Sequence, residues 1–322
     1  MADFYDVIII GAGPIGLACA VEAQRKNKSY LVFDKGCIVN SIFGYPYYMH
    51  FFSTGNLLEI GSIPFITQSP KPTRFDALEY YRRVTLAYQL NIRPFEAVTH
   101  VEGEEGHFQV ITAKGTYACA KVITAIGYFD FPRMLGVPGE DAPHVSHYYK
   151  EPHLYLSTDL LIIGSGNSAV EAALETHRHG ANVTLCIRGP ELKNGVKYWI
   201  RPDIDNRIKN KEIKAFFQTQ VLEIQPSQVI LQTGDQEPFA YPANRVLALT
   251  GYHPDFDFLR RIGVTIGSDP YRTPVCDPKT YETNRKGLYL AGVVVGGLRT
   301  DLWFIENSRD HAKAIFQHLE SA

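Results

Sequence analysis

No stretch constrains this chain more than Tyr5-Asp-Val-Ile-Ile-Ile-Gly-Ala-Gly-Pro-Ile-Gly16. Val7 to Ile10 form a short apolar run, the pattern of a strand buried on both faces. Gly11, Gly13 and Gly16 follow as G-x-G-x-x-G, and a helical pattern runs on through Ala23. Each glycine has a physical task. Gly11 allows a tight turn off the strand, Gly13 lets backbone approach a pyrophosphate, and Gly16 lets helix and strand pack closely. The helix N-terminus supplies free N–H groups and partial positive charge for phosphates. The next strand, Tyr30 to Phe33, ends in Asp34, an acid able to accept hydrogen bonds from an adenosine ribose. That context favours a bound dinucleotide over a glycine-rich turn with no ligand.

A second fingerprint lies midway along the chain. Asp159 to Ile163 reads as a buried strand, Gly164-Ser-Gly-Asn-Ser-Ala169 is G-x-G-x-x-A, a helix runs from Ala169 towards Gly180, and Val183 to Ile187 is the next strand. Two such units imply two dinucleotides. The offset that separates Gly11 from Asp34 leads from Gly164 to Ile187, with Arg188 next. No carboxylate waits there for a 2′-hydroxyl. Arg188, with Lys193 close behind, suits a 2′-phosphate; the alternative is a solvated charge at a strand end. The first site therefore reads as FAD and the second as NADPH.

The aromatic-rich segment Asn40 to Thr54 shows no clear period and suits either the wall of a flat-ring pocket or a packed loop. Pro72 and Thr73 precede a helix expected over Arg74 to Leu90, with Phe75, Leu78, Tyr81 and Val84 to Leu86 as its apolar positions; Ile92 to Phe95 reads as a short strand. From Val98 to Cys119 the period becomes two, which predicts a three-stranded antiparallel meander leading into a separate buried strand, Val122 to Gly127. Ile213 to Phe217, Val221 to Ile224, Val229 to Leu231 and Pro238 to Tyr241 read as short strands. Arg245 to Gly251 echoes Lys121 to Gly127, each followed by an aromatic and a proline, so these are expected to be the crossings between domains. The expected fold is α/β with two Rossmann-like, three-layer ββα dinucleotide-binding domains. The NADPH domain, 129–252, is inserted in a discontinuous FAD domain, 1–128 and 253–322. The tail predicts a strand ending at Gly292 and one last helix, Phe304 to Leu319, packing Ile305, Ala312, Ile315 and Phe316. Its first N–H groups can face the pyrimidine end of a flavin and stabilise charge there.

With 45% hydrophobic and 20% charged residues the chain reads as an ordinary globular protein, and its net charge of -2 gives no electrostatic case for nucleic acid or an anionic membrane. The run from Val7 to Ala20 is broken by glycines and Pro14 and is no membrane span. Met1 to Asp6 lacks a basic leader, so a cytoplasmic location is expected. The five cysteines, Cys19, Cys37, Cys119, Cys186 and Cys276, form no C-x-x-C and no metal-spaced cluster.

These motifs, with Thr124-Ala-Ile-Gly127 and Gly287-Leu-Tyr-Leu-Ala-Gly292, resemble the thioredoxin-reductase-like flavoproteins over nearly the whole length. Within that group Asn40-Ser-Ile…Phe-Phe-Ser-Thr54, Lys71-Pro-Thr73, Val145-Ser-His-Tyr-Tyr149, Asn167-Ser-Ala-Val-Glu-Ala-Ala173 and Phe304-Ile-Glu-Asn307 are most similar to the bacillithiol disulfide reductase family. The resemblance implies FAD contacts at Gly11, Gly13, Pro14, Ile15, Gly16, Asp34, Lys35, Asn40, Ser41, Ser53, Val98, Ala125, Gly127, Gly292, Val293, Phe304 and Ile305. It implies NADPH contacts at Gly164, Ser165, Gly166, Asn167, Ser168, Arg188, Lys193 and Gly251. It also implies a homodimer or homotetramer and a hinge near Gly127 and Gly251. Three departures stand out. The place of the thioredoxin reductase C-x-x-C reads Val145-Ser-His-Tyr-Tyr-Lys-Glu-Pro-His153, so there is no internal dithiol. The cysteine that bacillithiol disulfide reductases often carry in the first fingerprint is Ile15; Cys19, on the same helical face, reads as buried filler. The usual Asp after the last Ala-Gly is Val293.

The implied activity is transfer of hydride from NADPH to flavin and on to a low-molecular-weight disulfide. No metal is required. Two alternatives stay open: a small redox protein as acceptor, as in the thioredoxin-reductase-like ferredoxin/flavodoxin–NADP reductases, and a low-turnover flavin-binding redox sensor. The flavin itself carries the chemistry. His50 and Tyr148 are the candidates for a catalytic side chain, His50 as a proton donor and Tyr148 on the nicotinamide side.

Overall fold

The computed structural model describes residues 4–321. Residues 1–3, which belong to the N-terminal stretch and to the first expected domain, and residue 322 lie outside the described residues. The chain divides into two compact units: Met1–Tyr45, Met49–Phe131 and Tyr252–Ala322 form one, Pro46–Tyr48 and Pro132–Gly251 the other.

The first unit opens with β1 (Phe4–Ile10), α1 (Pro14–Arg25) and β2 (Tyr30–Phe33). Short helices α2 (Asn40–Gly44) and α3 (Gly55–Leu58) lead to α4 (Arg74–Tyr88). Thr73 caps α4: its hydroxyl accepts the Asp76 N–H at 3.2 Å while the Asp76 carboxylate accepts the Thr73 N–H at 2.8 Å. The buried face of α4 is Ala77, Tyr80, Tyr81, Val84 and Thr85; Phe75 and Leu86, expected on that stripe, are exposed. Strands β3 (Ile92–Arg93), β4 (Val98–Glu102), β5 (Phe108–Thr112) and β6 (Thr116–Thr124) complete the order β3-β2-β1-β6-β5-β4.

The third strand of the meander and the buried strand after it, expected as two, are the single strand β6. No Gly or Pro interrupts residues 116–124, so the chain has no reason to turn. It changes partners instead. Residues 116–119 pair antiparallel with β5, and 122–124 pair parallel with a later strand, Leu288–Leu290. Its other edge runs parallel to β1 from Ala118 to Thr124. Alternate residues of β1 enter opposite cores. Val7 and Ile9 join Leu17, Tyr81 and Phe316 on the helical face; Ile8 and Ile10 join Phe108, Val110 and Leu259 on the other.

The chain leaves through β7 (Phe131–Pro132). In the second unit, β8 (Val145–Ser146), β9 (Asp159–Ile163), α5 (Asn167–Arg178), β10 (Asn182–Cys186), α6 (Arg201–Lys209), β11 (Lys214–Phe216), β12 (Thr219–Ile224), β13 (Gln228–Thr233), β14 (Phe239–Pro242) and β15 (Arg245–Ala248) follow. The order β11-β10-β9-β15-β8 is parallel throughout. Leu160, Ile162 and Leu185 pack under the helical layer; Leu161, Ile163 and Cys186 pack against the antiparallel sheet β12-β13-β14. The four short strands expected here thus separate: β11 extends the parallel sheet, and the other three form the second β layer. The sequence pattern does not predict α6, because only Ile204 of its nine residues is buried and no apolar stripe marks it.

The ends of this unit meet. The Arg133 N–H donates to the Gly251 carbonyl at 2.9 Å. Strand β16 (Tyr252–His253) returns the chain to the first unit, followed by α7 (Phe256–Arg261), capped by the Asp255 carboxylate at 2.9 Å from the Phe258 N–H, and by β17 (Leu288–Leu290). The last helix, expected unbroken from Phe304 to Leu319, is two: α8 (Ile305–Ser308) and α9 (Asp310–Ser321). The interruption is one turn residue, Arg309. Beside it the Ser308 hydroxyl donates back to the Phe304 carbonyl, a bond that bends helices.

Candidate functional site

The two glycine loops are built alike. Gly11 has φ +106°, and a Cβ there would lie 2.4 Å from the Ala125 carbonyl oxygen of the neighbouring crossing. A Cβ on Gly16 would lie 1.8 Å from the Gly11 oxygen. In the second loop Gly164 has φ +146°, and its Cβ would lie 2.5 Å from the Leu249 oxygen and 3.1 Å from the Ala169 methyl. These positions are glycine because the protein itself fills the space. The middle glycines differ. A Cβ on Gly13 would meet nothing within 4 Å, and one on Gly166 only the Lys193 stem at 3.9 Å. Each loop therefore leaves backbone bare in front of a helix N-terminus, a cradle that fits a dinucleotide pyrophosphate.

Around the first loop, Asp34 is half-buried and accepts the N–H groups of Ala12 at 2.7 Å and Gly36 at 2.8 Å, one on each oxygen. Burial pushes its carboxyl upward, and the two N–H groups pull the other way. Each oxygen keeps a lone pair for a ribose hydroxyl. Lys35 pairs with Asp130 at 3.0 Å. Val39 sits at φ +50°, an outlier for a β-branched residue, and its N–H donates to the Ala12 carbonyl at 2.9 Å. That strained turn starts α2, which brings Asn40 beside Gly36 and the Ser41 hydroxyl 4.0 Å from where a Gly127 Cβ would stand. Pro14 and Ile15 open α1, and Ile15 is buried 3.2 Å from where a Gly292 Cβ would be. Val293 begins a single turn of 3₁₀ helix, Val293–Gly296. Val98 starts β4 opposite Thr112.

The C-terminal helices reach the aromatic segment. The Ser53 hydroxyl donates to the Glu306 carboxylate at 2.5 Å, and the Arg309 guanidinium donates to the carbonyls of Asn56 at 3.0 Å and Glu59 at 2.8 Å. Within the segment Tyr45 is packed edge-on against Phe129 at 4.8 Å, while Tyr48 and Phe52 are exposed. The expectation for the start of the last helix narrows: the Phe304 N–H is taken by the Asn307 side chain at 2.7 Å, and Ile305 is partly buried against the core. His50 is exposed and in the first unit. Tyr148 is partly buried in the second, its N–H donating to the Ser146 hydroxyl at 3.1 Å.

Around the second loop, the Lys193 N–H donates to the Ser165 carbonyl at 3.0 Å. Asn167 staples the following loop to the start of α5, donating to the Gly195 carbonyl at 3.0 Å and accepting the Lys197 N–H at 2.7 Å. Ser168 is exposed. Arg188 is exposed two residues beyond the end of β10 and forms no ion pair among the described residues. Gly251 has φ +99°.

Some residues near the loops carry no motif. Lys197 is buried and paired with Glu171 at 2.5 Å. Buried His311 accepts the Gly292 N–H, and burial lowers its imidazole to about 4. The available signal for His311 was its position one residue from Ala312 and four from Ile315, on the apolar face of α9. All five cysteines are free, and burial raises every thiol: Cys119 and Cys186 to about 12, Cys276 to about 11, Cys19 and Cys37 upward. Among the described residues no cluster of His, Cys, Asp or Glu could hold a metal ion, and no helix is long and apolar enough to cross a membrane.

The family described as pyridine nucleotide-disulphide oxidoreductase matches residues 8–292. The chain is 42% identical over 305 residues to "Bacilliredoxin reductase Bdr" of Bacillus subtilis, with 94% of each chain covered. It superposes on the structure of bacillithiol disulfide reductase Bdr (YpdA) from Bacillus cereus with TM-score 0.96, 39% identity and 99% of each chain covered. The same protein from Staphylococcus aureus gives TM-score 0.96, 38% identity and 99% of each chain. The chain belongs to the pyridine nucleotide-disulphide oxidoreductase family, in its bacillithiol disulfide reductase branch, and is a flavin-dependent oxidoreductase that uses a nicotinamide nucleotide.

Proposed function

We propose that the first loop holds FAD, the second holds NADPH, and that the protein reduces a low-molecular-weight disulfide of the bacillithiol type: one disulfide, one NADPH and one proton give two thiols and NADP⁺. The observation that carries this reading is the pair of bare glycine cradles, one beside a carboxylate and the other followed by Arg188 and Lys193, which form no ion pair among the described residues. The bound cofactors would supply hydride transfer and the two-electron reduction. The chain's own residues bind and orient. Gly13 and the start of α1 would take the FAD pyrophosphate, with Asp34 accepting from the ribose. Gly166 and the start of α5 would take the NADPH pyrophosphate, with Arg188 and Lys193 on the 2′-phosphate. No cysteine is a ready thiolate near neutral pH, because burial raises all five. The same fact favours a second reading, a one-electron protein acceptor, which would need no thiol in the enzyme.

Anaerobic stopped-flow absorbance on the purified protein tests both. Fast bleaching of a bound flavin by NADPH, slow bleaching by NADH, and return of colour on adding bacillithiol disulfide support the first reading. Return of colour with ferredoxin or flavodoxin alone supports the second. No bleaching by either nucleotide defeats both and favours a sensor. Arg188→Ala is expected to weaken NADPH about 10- to 100-fold, the range for losing a charge-assisted contact, and to leave NADH within about threefold. Equal losses for both nucleotides would remove Arg188 from the 2′-phosphate.

A further inference from the structure

His311 lies on the inner face of α9 and is 1% exposed. Tyr281 stacks on its ring, centroids 3.9 Å apart and planes 16° from parallel, and Trp303 meets it edge-on at 4.5 Å and 83°. Its Nδ1 accepts the Gly292 N–H at 3.2 Å. An accepting nitrogen carries no proton, so the neutral ring keeps its proton on Nε2. Nε2 has no hydrogen-bond partner among the described residues.

The peptide held by this ring is unusual. Gly292 has φ +87° and ψ -158°, a region entered almost solely by glycine. On its other side stands Ile15 of the first glycine loop. Tyr281, the ring beneath His311, has φ +61°, an outlier for an aromatic residue. Its carbonyl accepts the Leu290 N–H at 3.0 Å, tying it to the strand that delivers Gly292. One strained residue, Tyr281, one glycine-only conformation and an orphaned buried donor thus lie around the peptide between Ala291 and Gly292. Packing alone does not ask for this arrangement. A phenylalanine would fill the same slot between Tyr281 and Trp303 without the buried Nε2–H but would leave the Gly292 N–H with no acceptor, so the acceptor and not the volume calls for histidine.

We propose that His311 is a positioning residue for the flavin site: its Nδ1 locks the Gly292 peptide in its glycine-only conformation and so sets where the Val293–Gly296 turn stands beside the Gly11–Gly16 loop. The ring acts through backbone and need not touch the cofactor. This rests on the reading of that loop as the flavin site.

The test uses the full-length protein and two variants that separate acceptor from volume. In His311→Asn, Oδ1 can take the place of Nδ1 but the ring is lost. In His311→Phe the ring volume stays and the acceptor is lost. Flavin affinity by fluorescence, the absorption spectrum of the bound flavin and the thermal midpoint of the apoprotein are measured for each. His311→Phe is expected to bind flavin about tenfold more weakly, with a shifted spectrum, and to lower the apoprotein midpoint by about 2–4 °C because the Gly292 N–H is left unpaired. His311→Asn is expected to stay within about threefold. The reverse ranking, Phe like wild type and Asn weak, is the one packing gives and overturns the proposal. Should His311→Phe fail to fold, His311→Gln replaces it. Its amide sits at the Nε2 end and leaves Gly292 unpaired, so it must also lose affinity. A wild-type protein that binds no flavin defeats the functional reading itself; flavin bound by wild type and by His311→Phe alike defeats only this proposal.

Discussion

Gly16 and Gly13 belong to one motif, but different physics requires each. At Gly16 a side chain would collide with the Gly11 carbonyl at 1.8 Å, and backbone cannot give way by that much without parting α1 from β1. At Gly13 the backbone is extended, φ -71° and ψ 176°, which any residue adopts, and a methyl would meet open space. Gly16→Ala is therefore expected to destabilise the fold by several kcal/mol, on the order of the larger overpacking penalties, with a clear drop in the thermal midpoint. Gly13→Ala is expected to leave the apoprotein midpoint within a degree or two and to weaken flavin binding at least tenfold, because its methyl enters the space assigned to the pyrophosphate. Calorimetry of the two apoproteins and a flavin titration distinguish them. An unfolded Gly13→Ala would mean that the loop is held by contacts other than those described.

At the scale of the element, local sequence and tertiary contact divide the work unevenly. Helix α4 carries its own start signal in Thr73 and Asp76, so its N-terminus was legible from residue types alone. Thr73→Ala removes the hydroxyl half of that box and is expected to cost about 1 kcal/mol, read by urea denaturation with an unchanged slope. A loss below about 0.3 kcal/mol would show that the Asp76 side chain holds the cap unaided. Strand β6 lies at the other extreme. Its residues form one uninterrupted extended run, and only the assembled sheet shows that the run serves β5 with one half and β17 with the other. Helix α6 has a single buried side chain and few apolar residues, so neither periodicity nor propensity marks it; it forms in tertiary context, as short helices do.

At the scale of the whole molecule, the inserted unit is closed on itself. Its two cores draw only on residues between Leu135 and Leu249, and its ends are joined by the Arg133–Gly251 hydrogen bond. A chain of residues 132–251 should fold alone, since excision leaves its ends where they already meet. The expected outcome is a single cooperative thermal transition and dispersed amide signals. A broad transition would mean that the Pro46–Tyr48 segment, which clusters with this unit through the Tyr47 N–H on the Lys150 carbonyl, is needed to complete it.

The sequence by itself determined the two βαβ units, their order and the glycine positions. Each of these follows from short-range rules, because a buried strand must be apolar throughout and a turn that backs onto another carbonyl must lack a Cβ. Tertiary structure alone decided that Ile15 meets Gly292, that Ser53 meets Glu306, and that His311 meets the Gly292 peptide. These contacts join residues far apart in the chain. Whether a histidine on an apolar helix face is filler or the acceptor for one peptide N–H depends on what stands opposite it, which no local pattern encodes.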